Sequence, residues 1–330
     1  MTEVSHKTRT LLALSMLKGV GPAALRKIAA VRGFEKMPKD ELRLHLPRNT
    51  AAATSPNAWQ QADGEADRQI ELATTAGAHI ISSADLEYPT LLTETRDDPQ
   101  ILFVKGRFAS SAEKSVAIIG TREPTDHGSV ITQRLTNFFV SEGWSIVSGL
   151  AIGCDAIAHE AALDAGGHTV AVLAHGLQTV APSRHKKLAQ RIFEAGGALV
   201  TEYRFGQEPL PTNFVKRDRI QAGMAQGVIM VQSDVTGGSL HASRASIDYG
   251  RWLAVPYPTE QDIGRKEPKV QGNLLLADGT PQEKATLLKC DHISLRKLIV
   301  LRGRDDYGRM IRSSDSSVPP TRPPVQGQLF

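Results

Sequence analysis

From residue 78 onward, short apolar runs alternate with stretches of helical pattern, and this alternation constrains the 330-residue chain more than any other feature. The runs are HIISS (79–83), ILFVKG (101–106), SVAIIG (115–120), SIVSG (145–149), TVAVLA (169–174), ALVTEY (198–203), GVIMVQ (227–232) and WLAVPY (252–257). Helical patterns fall between them at about 127–142, 154–165, 184–195, 217–225 and 239–250. Strands alternating with helices predict crossover connections and hence an α/β fold: a Rossmann-like, doubly wound, mostly parallel sheet. In such sheets ligands bind beyond the carboxyl ends of the strands, so those ends are where function is sought.

The sheet region, 77–282, is preceded by a small helical amino-terminal domain, 1–76. Within it LKGVGPAALRKI (Leu17 to Ile28) has the look of a helix-hairpin-helix. Gly19 and Gly21 allow a tight turn, and Pro22 suits the first position of the next helix. The amides at that helix start, with Lys18, Arg26 and Lys27, are suited to a DNA phosphate; the alternative is a helical pair that merely packs. A further helix near 56–76 ends at the Gly77 turn. Past the sheet, 283–312 reads as a small helical or strand-helix appendage, and the Ser- and Pro-rich stretch 313–330 as a disordered tail.

Lys plus Arg number 39 against 35 Asp plus Glu, a net charge of +4. That mild excess permits a polyanion partner without demanding one, so the distribution of charge decides. The two cysteines, Cys154 and Cys290, have neither zinc-ligand spacing nor the density of a secreted disulfide scaffold. No apolar run approaches the roughly 18 residues of a membrane span, and the polar start MTEVSHKTRT has no signal-like core. The expectation is a cytoplasmic protein without a membrane partner.

Four segments carry chemistry at the strand ends. Gly120-Thr121-Arg122 delivers a turn, a hydroxyl and a fixed cation. In SGLAIGCDAIAH (148–159) Ser148, Gly149 and Gly153 shape a turn into a helix. FVKRDRIQAG (214–223) carries Arg217 and Arg219. TGGSLHASRAS (236–246) opens a helix from Gly237, Gly238 and Ser239. Helix amino termini converging with arginines make an anion site of several contacts. Asp155 and His159, four apart on one helical face, read as a structural polar network rather than a catalytic or metal pair. RHKKLAQRI (184–192) is a basic helix start, either ordinary surface or the flank of a phosphate track. There is no Gly-x-Gly-x-x-Gly and no Gly-x-x-x-x-Gly-Lys-Ser/Thr, so no dinucleotide cofactor and no Walker-type NTPase is indicated. Aromatic residues make up 5% of the chain, which favours backbone contact over extensive base stacking.

Residues 79 to 280 resemble the DprA/Smf family of DNA-processing proteins. The motifs run in order: YPTLL with DDPQILFVKG, then VAIIGTR for the family's Val-Ala-Ile-Val-Gly-Ser-Arg, with Thr121 in place of serine. SGLAIGCDAIAHEAAL, TVAVLAHGL, LVTEY, FVKRDRIQAGM, TGGSLHASRASIDYGRWLAVP and QGNLLLADGT come after it. The resemblance implies a non-enzymatic, cytoplasmic protein that binds single-stranded DNA in recombination or natural transformation and assists loading of a RecA-type recombinase. It implies a homodimer and no cofactor. By position, Arg122 matches the signature arginine, Arg217 and Arg219 the paired arginines, and Lys186 or Lys187 the basic residues on the DNA path. Gly120, Thr121, Ser148, Gly149, Gly153, Gly237, Gly238 and Ser239 complete the expected phosphate-binding set.

The chain also departs from the pattern. Asp218 replaces an asparagine between the arginines, Val215 a proline, and VPYPTE a Val-Pro-Gly turn. These departures admit a second reading, a DprA-like sensor or regulator (antitoxin) in an anti-phage or toxin–antitoxin system, which would bind DNA or a nucleotide or restrain a partner toxin. Finally, QGQLF at the end has the Gln-x-x-Leu-Phe pattern (Gln326, Leu329, Phe330) of peptides that dock on a bacterial sliding clamp.

Overall fold

Apolar runs with no polar alternation need cover on both faces, and here each becomes a strand buried on both sides. The computed structural model describes residues 4–47, 50 and 56–315. The strands are β1 His79–Ser82, β2 Ile101–Gly106, β3 Ser115–Ile119, β4 Ser145–Ser148, β5 Thr169–Val172, β6 Ala198–Thr201, β7 Gly227–Met230, β8 Trp252–Pro256 and β9 Leu298–Leu301. Among the described residues they form one nine-stranded sheet in the order β1-β2-β6-β5-β4-β3-β7-β8-β9. Pairing is antiparallel for β1–β2 and β2–β6 and parallel across the rest. Most strands end one or two residues before the apolar run does, because the last residues of the run leave the ladder to build turns.

Helices precede, link and follow the strands. The amino-terminal unit holds α1 His6–Met16, α2 Pro22–Ala29, α3 Lys39–Leu44 and α4 Pro56–Thr75. A short α5, Thr90–Thr93, lies between β1 and β2. The crossovers are α6 Asp126–Ser141, α7 Cys154–Asp164, α8 Lys186–Glu194, α9 Pro211–Gly223 and α10 Leu240–Asp248. After β8 come α11 Glu260–Gly264, α12 Gln271–Asp278, α13 Pro281–Leu288 and α14 Tyr307–Asp315. The α9 helix begins at Pro211, six residues before the expected start at 217, because proline is a good first helical residue.

Alternate residues of β3 feed two cores. Val116 and Ile118 pack with Leu135 and Phe139 of α6; Ala117 and Ile119 pack with Ile220 and Ala222 of α9. Trp252 of β8 lies against Gly227, where a Cβ would come within 2.0 Å of the indole, and its Nε1 donates to Ser314 at 2.8 Å. The stretch expected as an appendage, 283–312, adds β9 parallel to β8 and thus extends the sheet itself. The α14 helix, which runs from the end of that stretch into residues 313–315 of the expected tail, puts Met310 and Tyr307 into the same core as Trp252. The clamp-like Gln326, Leu329 and Phe330 lie outside the described residues. Among the described residues no helix is long and apolar enough to cross a membrane.

The amino-terminal hairpin forms as its glycines suggest: Gly19 takes φ +89°, Gly21 caps α2 and Pro22 opens it. One of its expected phosphate ligands is committed elsewhere. Arg26 Nε donates to Asp98 at 2.9 Å, and Asp98 is buried. The guanidinium therefore neutralises a desolvated carboxylate beneath α2. Gln69 of α4 completes the docking, donating to the Phe205 carbonyl at 3.2 Å and accepting from its amide at 2.8 Å.

Candidate functional site

The winding reverses at β3: β4, β5 and β6 extend to one side of it and β7, β8 and β9 to the other. Adjacent carboxyl ends of β3 and β7 therefore diverge into helices on opposite faces and open a crevice between them. The ends of β5, β4, β3 and β7 are consecutive along this edge. β3, β4 and β7 lead into three of the four segments singled out in the sequence, β5 leads towards the basic stretch 184–192, and the fourth segment, 214–223, lies on α9.

The β3 turn is held at Gly120, where a Cβ would lie 2.6 Å from Cys154 Sγ. Thr121 N donates to the Gln232 carbonyl at 2.9 Å, locking the turn to β7. The Gln232 side chain fixes the rest of the loop at Thr125. Its Oε1 accepts from Thr125 N at 3.0 Å and its Nε2 donates to Thr125 Oγ1 at 2.8 Å. Thr125 in turn caps α6, accepting from Gly128 N at 3.1 Å. Arg122 projects exposed from this braced loop and has no carboxylate partner among the described residues. The adjacent Glu123 is taken by Lys269 at 2.8 Å.

The β4 turn, Gly149 to Gly153, wraps around buried Asp155. Asp155 accepts from Gly149 N at 3.1 Å and from Ala151 N at 3.4 Å. Leu150 is forced to φ +58° and Gly153 to φ +83°. Burial raises the Asp155 pKa, while Arg217 and the loop amides oppose the shift. His159, one helical turn along, bonds not to Asp155 but to Thr169, with Nδ1 2.7 Å from Oγ1. Burial lowers its pKa to about 3, reinforced by His185 and Arg217, so the ring is neutral.

Arg217 is not a free ligand. It is 3% exposed, and its Nη1 donates to the Gly149 carbonyl at 2.7 Å and to the Val172 carbonyl. Its Nε donates to Asp218 at 3.1 Å. A buried guanidinium needs anionic and carbonyl partners, and this one finds them at the ends of β4 and β5. Arg219 is likewise paired, with Glu202 at 2.7 Å and Asp97 at 3.7 Å. Neither expected phosphate arginine is thus a free cation: Arg217 is buried and braces the ends of β4 and β5, and Arg219, half-buried, ties α9 to Glu202 just past β6 and to Asp97. Asp218, beside them, has its pKa raised to about 6 by burial and by Asp155, against the pull of Arg217 and Arg122.

At the end of β5, Lys186 and Lys187 stand exposed at the start of α8, without carboxylate partners among the described residues. His185 Nδ1 lies 2.8 Å from the Leu150 carbonyl and ties this helix start to the β4 turn. Ser148, buried, donates to the Ile118 carbonyl at 2.6 Å and so joins β4 to β3 rather than facing the crevice. At the end of β7, Gly237 is packed on Ser233, whereas Gly238 has open space around it and Ser239 makes no side-chain cap bond.

Two bracing residues were not singled out in the sequence. Gln232 is the final residue of the GVIMVQ run. Asn273, from α12, accepts from Ser233 N at 2.9 Å and donates to Val231 at 2.8 Å and to Pro256 at 3.2 Å, binding the ends of β7 and β8. Its only trace in the sequence is one amide within QGNLLLADGT. Cys154, under the β3 turn, is buried and its thiol is pushed up to about 12, so it is a packing residue rather than a nucleophile.

This is a Rossmann-like, doubly wound α/β protein with glycine turns and exposed cations along the carboxyl edge of its sheet. The chain belongs to the DNA recombination-mediator protein A family, whose model matches residues 79–283. It is 38% identical over 181 residues to Protein Smf of Escherichia coli K12, covering 54% of this chain and 48% of that protein. It is 33% identical over 207 residues to the DNA processing protein DprA of Bacillus subtilis, 62% of this chain and 69% of that one. The chain thus spans about half the length of the E. coli relative. The fold matches the X-ray structure of DprA from Streptococcus pneumoniae with a TM-score of 0.69 at 24% identity, over 93% of this chain and 98% of that one. DNA processing protein A from Helicobacter pylori, described for its single-stranded DNA binding mode, matches with a TM-score of 0.52 at 28% identity, over 61% and 88%.

Proposed function

We propose that this chain binds single-stranded DNA by its phosphate backbone along the carboxyl edge of the sheet, as a non-catalytic DNA-processing protein of recombination or DNA uptake. One observation carries the reading. Lys186, Lys187 and Arg122 stand exposed and form no salt bridge among the described residues, past the ends of β5 and β3 and on either side of the β4 turn. Gly238 leaves open space for a backbone to approach, Gly149 and Gly153 shape the β4 turn by admitting Arg217 and the Thr121 carbonyl, and Thr121 and Ser239 add hydroxyls at the β3 and β7 ends. Arg217, Arg219, Asp155 and His159 support this surface from beneath. The single-stranded DNA binding described for the H. pylori relative supports the choice of ligand. Delivery of the bound strand to a RecA-type recombinase in the cytoplasm, by a homodimer that lengthens the track, extends the reading along the family resemblance.

Binding of labelled single- and double-stranded oligonucleotides across a salt series tests it. Each phosphate contact removed should flatten the log–log salt slope for single strands by about 0.7. Arg122→Ala and Lys186→Ala should each weaken binding and flatten the slope. Folded protein that binds no strand at low salt would overturn the reading and leave a small-nucleotide sensor as its replacement.

A further inference from the structure

We propose that a cavity between the amino-terminal hairpin and the end of β6 is a nucleobase site, seating unpaired bases of a strand whose phosphates follow the crevice. This inference rests on the single-stranded DNA reading and deepens it.

The cavity has a volume of about 480 Å3, within the roughly 300–1,000 Å3 of typical ligand clefts. It lies on the same edge of the sheet as the crevice, because β6 follows β5 in the strand order and antiparallel β2 starts where β6 ends. Leu12, Leu17 and Leu25 of the hairpin and Ile101 and Phe103 of β2 give it an apolar lining. Tyr203, the second residue past β6, supplies an aromatic side chain.

The charges around it are unbalanced. Glu202 lines the cavity but is paired with Arg219 at 2.7 Å. Lys18 and Arg204 line it too, are exposed, and have no carboxylate partner among the described residues. The Arg204 guanidinium donates from Nη1 to Met16 Sδ, at 3.1 Å. An apolar lining, an aromatic side chain and two unneutralised cations call for a ligand with a flat apolar body attached to an anion. A nucleotide unit of a single strand has both parts, whereas in a duplex the base faces are already stacked. The turn between α1 and α2 thus gains a role distinct from phosphate capture by α2: through Lys18, Gly19, Val20 and Pro22 it forms one wall of the base site.

The test compares a short oligothymidylate with the same strand made abasic at single positions, and adds cross-linking from 4-thiothymidine. Loss of the sensitive base should weaken wild-type binding by on the order of tenfold, the scale of base–aromatic stacking. Tyr203→Leu should abolish that penalty and Tyr203→Phe should keep it. Arg122→Ala should weaken intact and abasic strands alike. Cross-links of the wild-type protein should fall within residues 16–20 or 203–204. A strand that binds but is indifferent to every abasic position, with cross-links elsewhere, overturns the base site and leaves the phosphate reading standing. Absence of any single-strand binding by folded protein at low salt overturns both.

Discussion

Arg217 and Asp155 grip the same residue from opposite faces of the sheet. Arg217, on α9, donates to the Gly149 carbonyl at 2.7 Å, while Asp155, on α7, accepts from the Gly149 amide at 3.1 Å. The backbone at the end of β4 is thereby clamped at both of its polar groups. A Cβ on Gly149 would sit 2.2 Å from the guanidinium, so only glycine admits this clamp. The motif arginine acts on the turn from within the fold.

Arg217 and Arg122 should therefore separate stability from binding. Arg217→Leu leaves Asp155 and Asp218 buried without their cation and should cost about 3–5 kcal/mol in urea unfolding. Arg122→Ala, at an exposed position, should change stability by less than about 0.5 kcal/mol yet lose strand affinity. Equal stability of the two variants would refute the inward role assigned to Arg217.

Gly153→Ala tests the turn itself. Its φ of +83° is costly for any residue with a Cβ, and that Cβ would lie 2.4 Å from the Thr121 carbonyl. Thermal unfolding should show a loss of about 2 kcal/mol. Gly238, with nothing within 4 Å, should accept alanine with little effect on stability.

Asp218 should make stability and the proposed strand binding depend on pH. Burial raises its folded pKa to about 6, above the ordinary carboxylate value, so the native state holds a proton that the unfolded chain has released between those two values. Its contribution to stability is complete below the unfolded pKa and is lost as pH rises through about 6. Asp218→Asn keeps an oxygen for Arg217 and Gln221 and removes that loss, so it should gain about 2 kcal/mol over wild type above pH 6. His159, kept neutral down to about 3, acts in the opposite sense. The difference between variant and wild type is therefore the quantity to measure. Strand affinity of the wild type should rise as pH falls through 6, since the carboxylate near Arg122 is then discharged; in the variant it should be nearly flat.

Gln232→Ala should weaken binding without removing any contact to DNA. The side chain holds Thr125 by two bonds, and a small residue there frees the loop that carries Arg122. Hydrogen exchange should accelerate across residues 121–128, and affinity should fall several-fold. Unchanged exchange with unchanged affinity would show that the loop is held by other means.

The strands β1 to β8 were legible in the sequence because each is buried on both faces and therefore continuously apolar. The ninth was not: LIVL at 298–301 is an edge strand alternating between half-buried and buried, flanked by SLRK and RG, and a short apolar run in that setting does not distinguish strand from helix. The glycine turns were legible for a similar reason, since close approach and positive φ admit little else. Which cations are left unpaired was decided only by the tertiary structure. Arg122, Arg217 and Arg219 are equivalent as letters, and what distinguishes them is whether a carboxylate or a strand-end carbonyl lies within reach. Glu202, Asp97, Gly149 and Val172 reach Arg217 and Arg219 across sequence separations that no local pattern records, and they leave Arg122 open. Local chemistry determined the elements and their turns; the direction each charge faces was set by the sheet order, which alone decides which strand ends are neighbours.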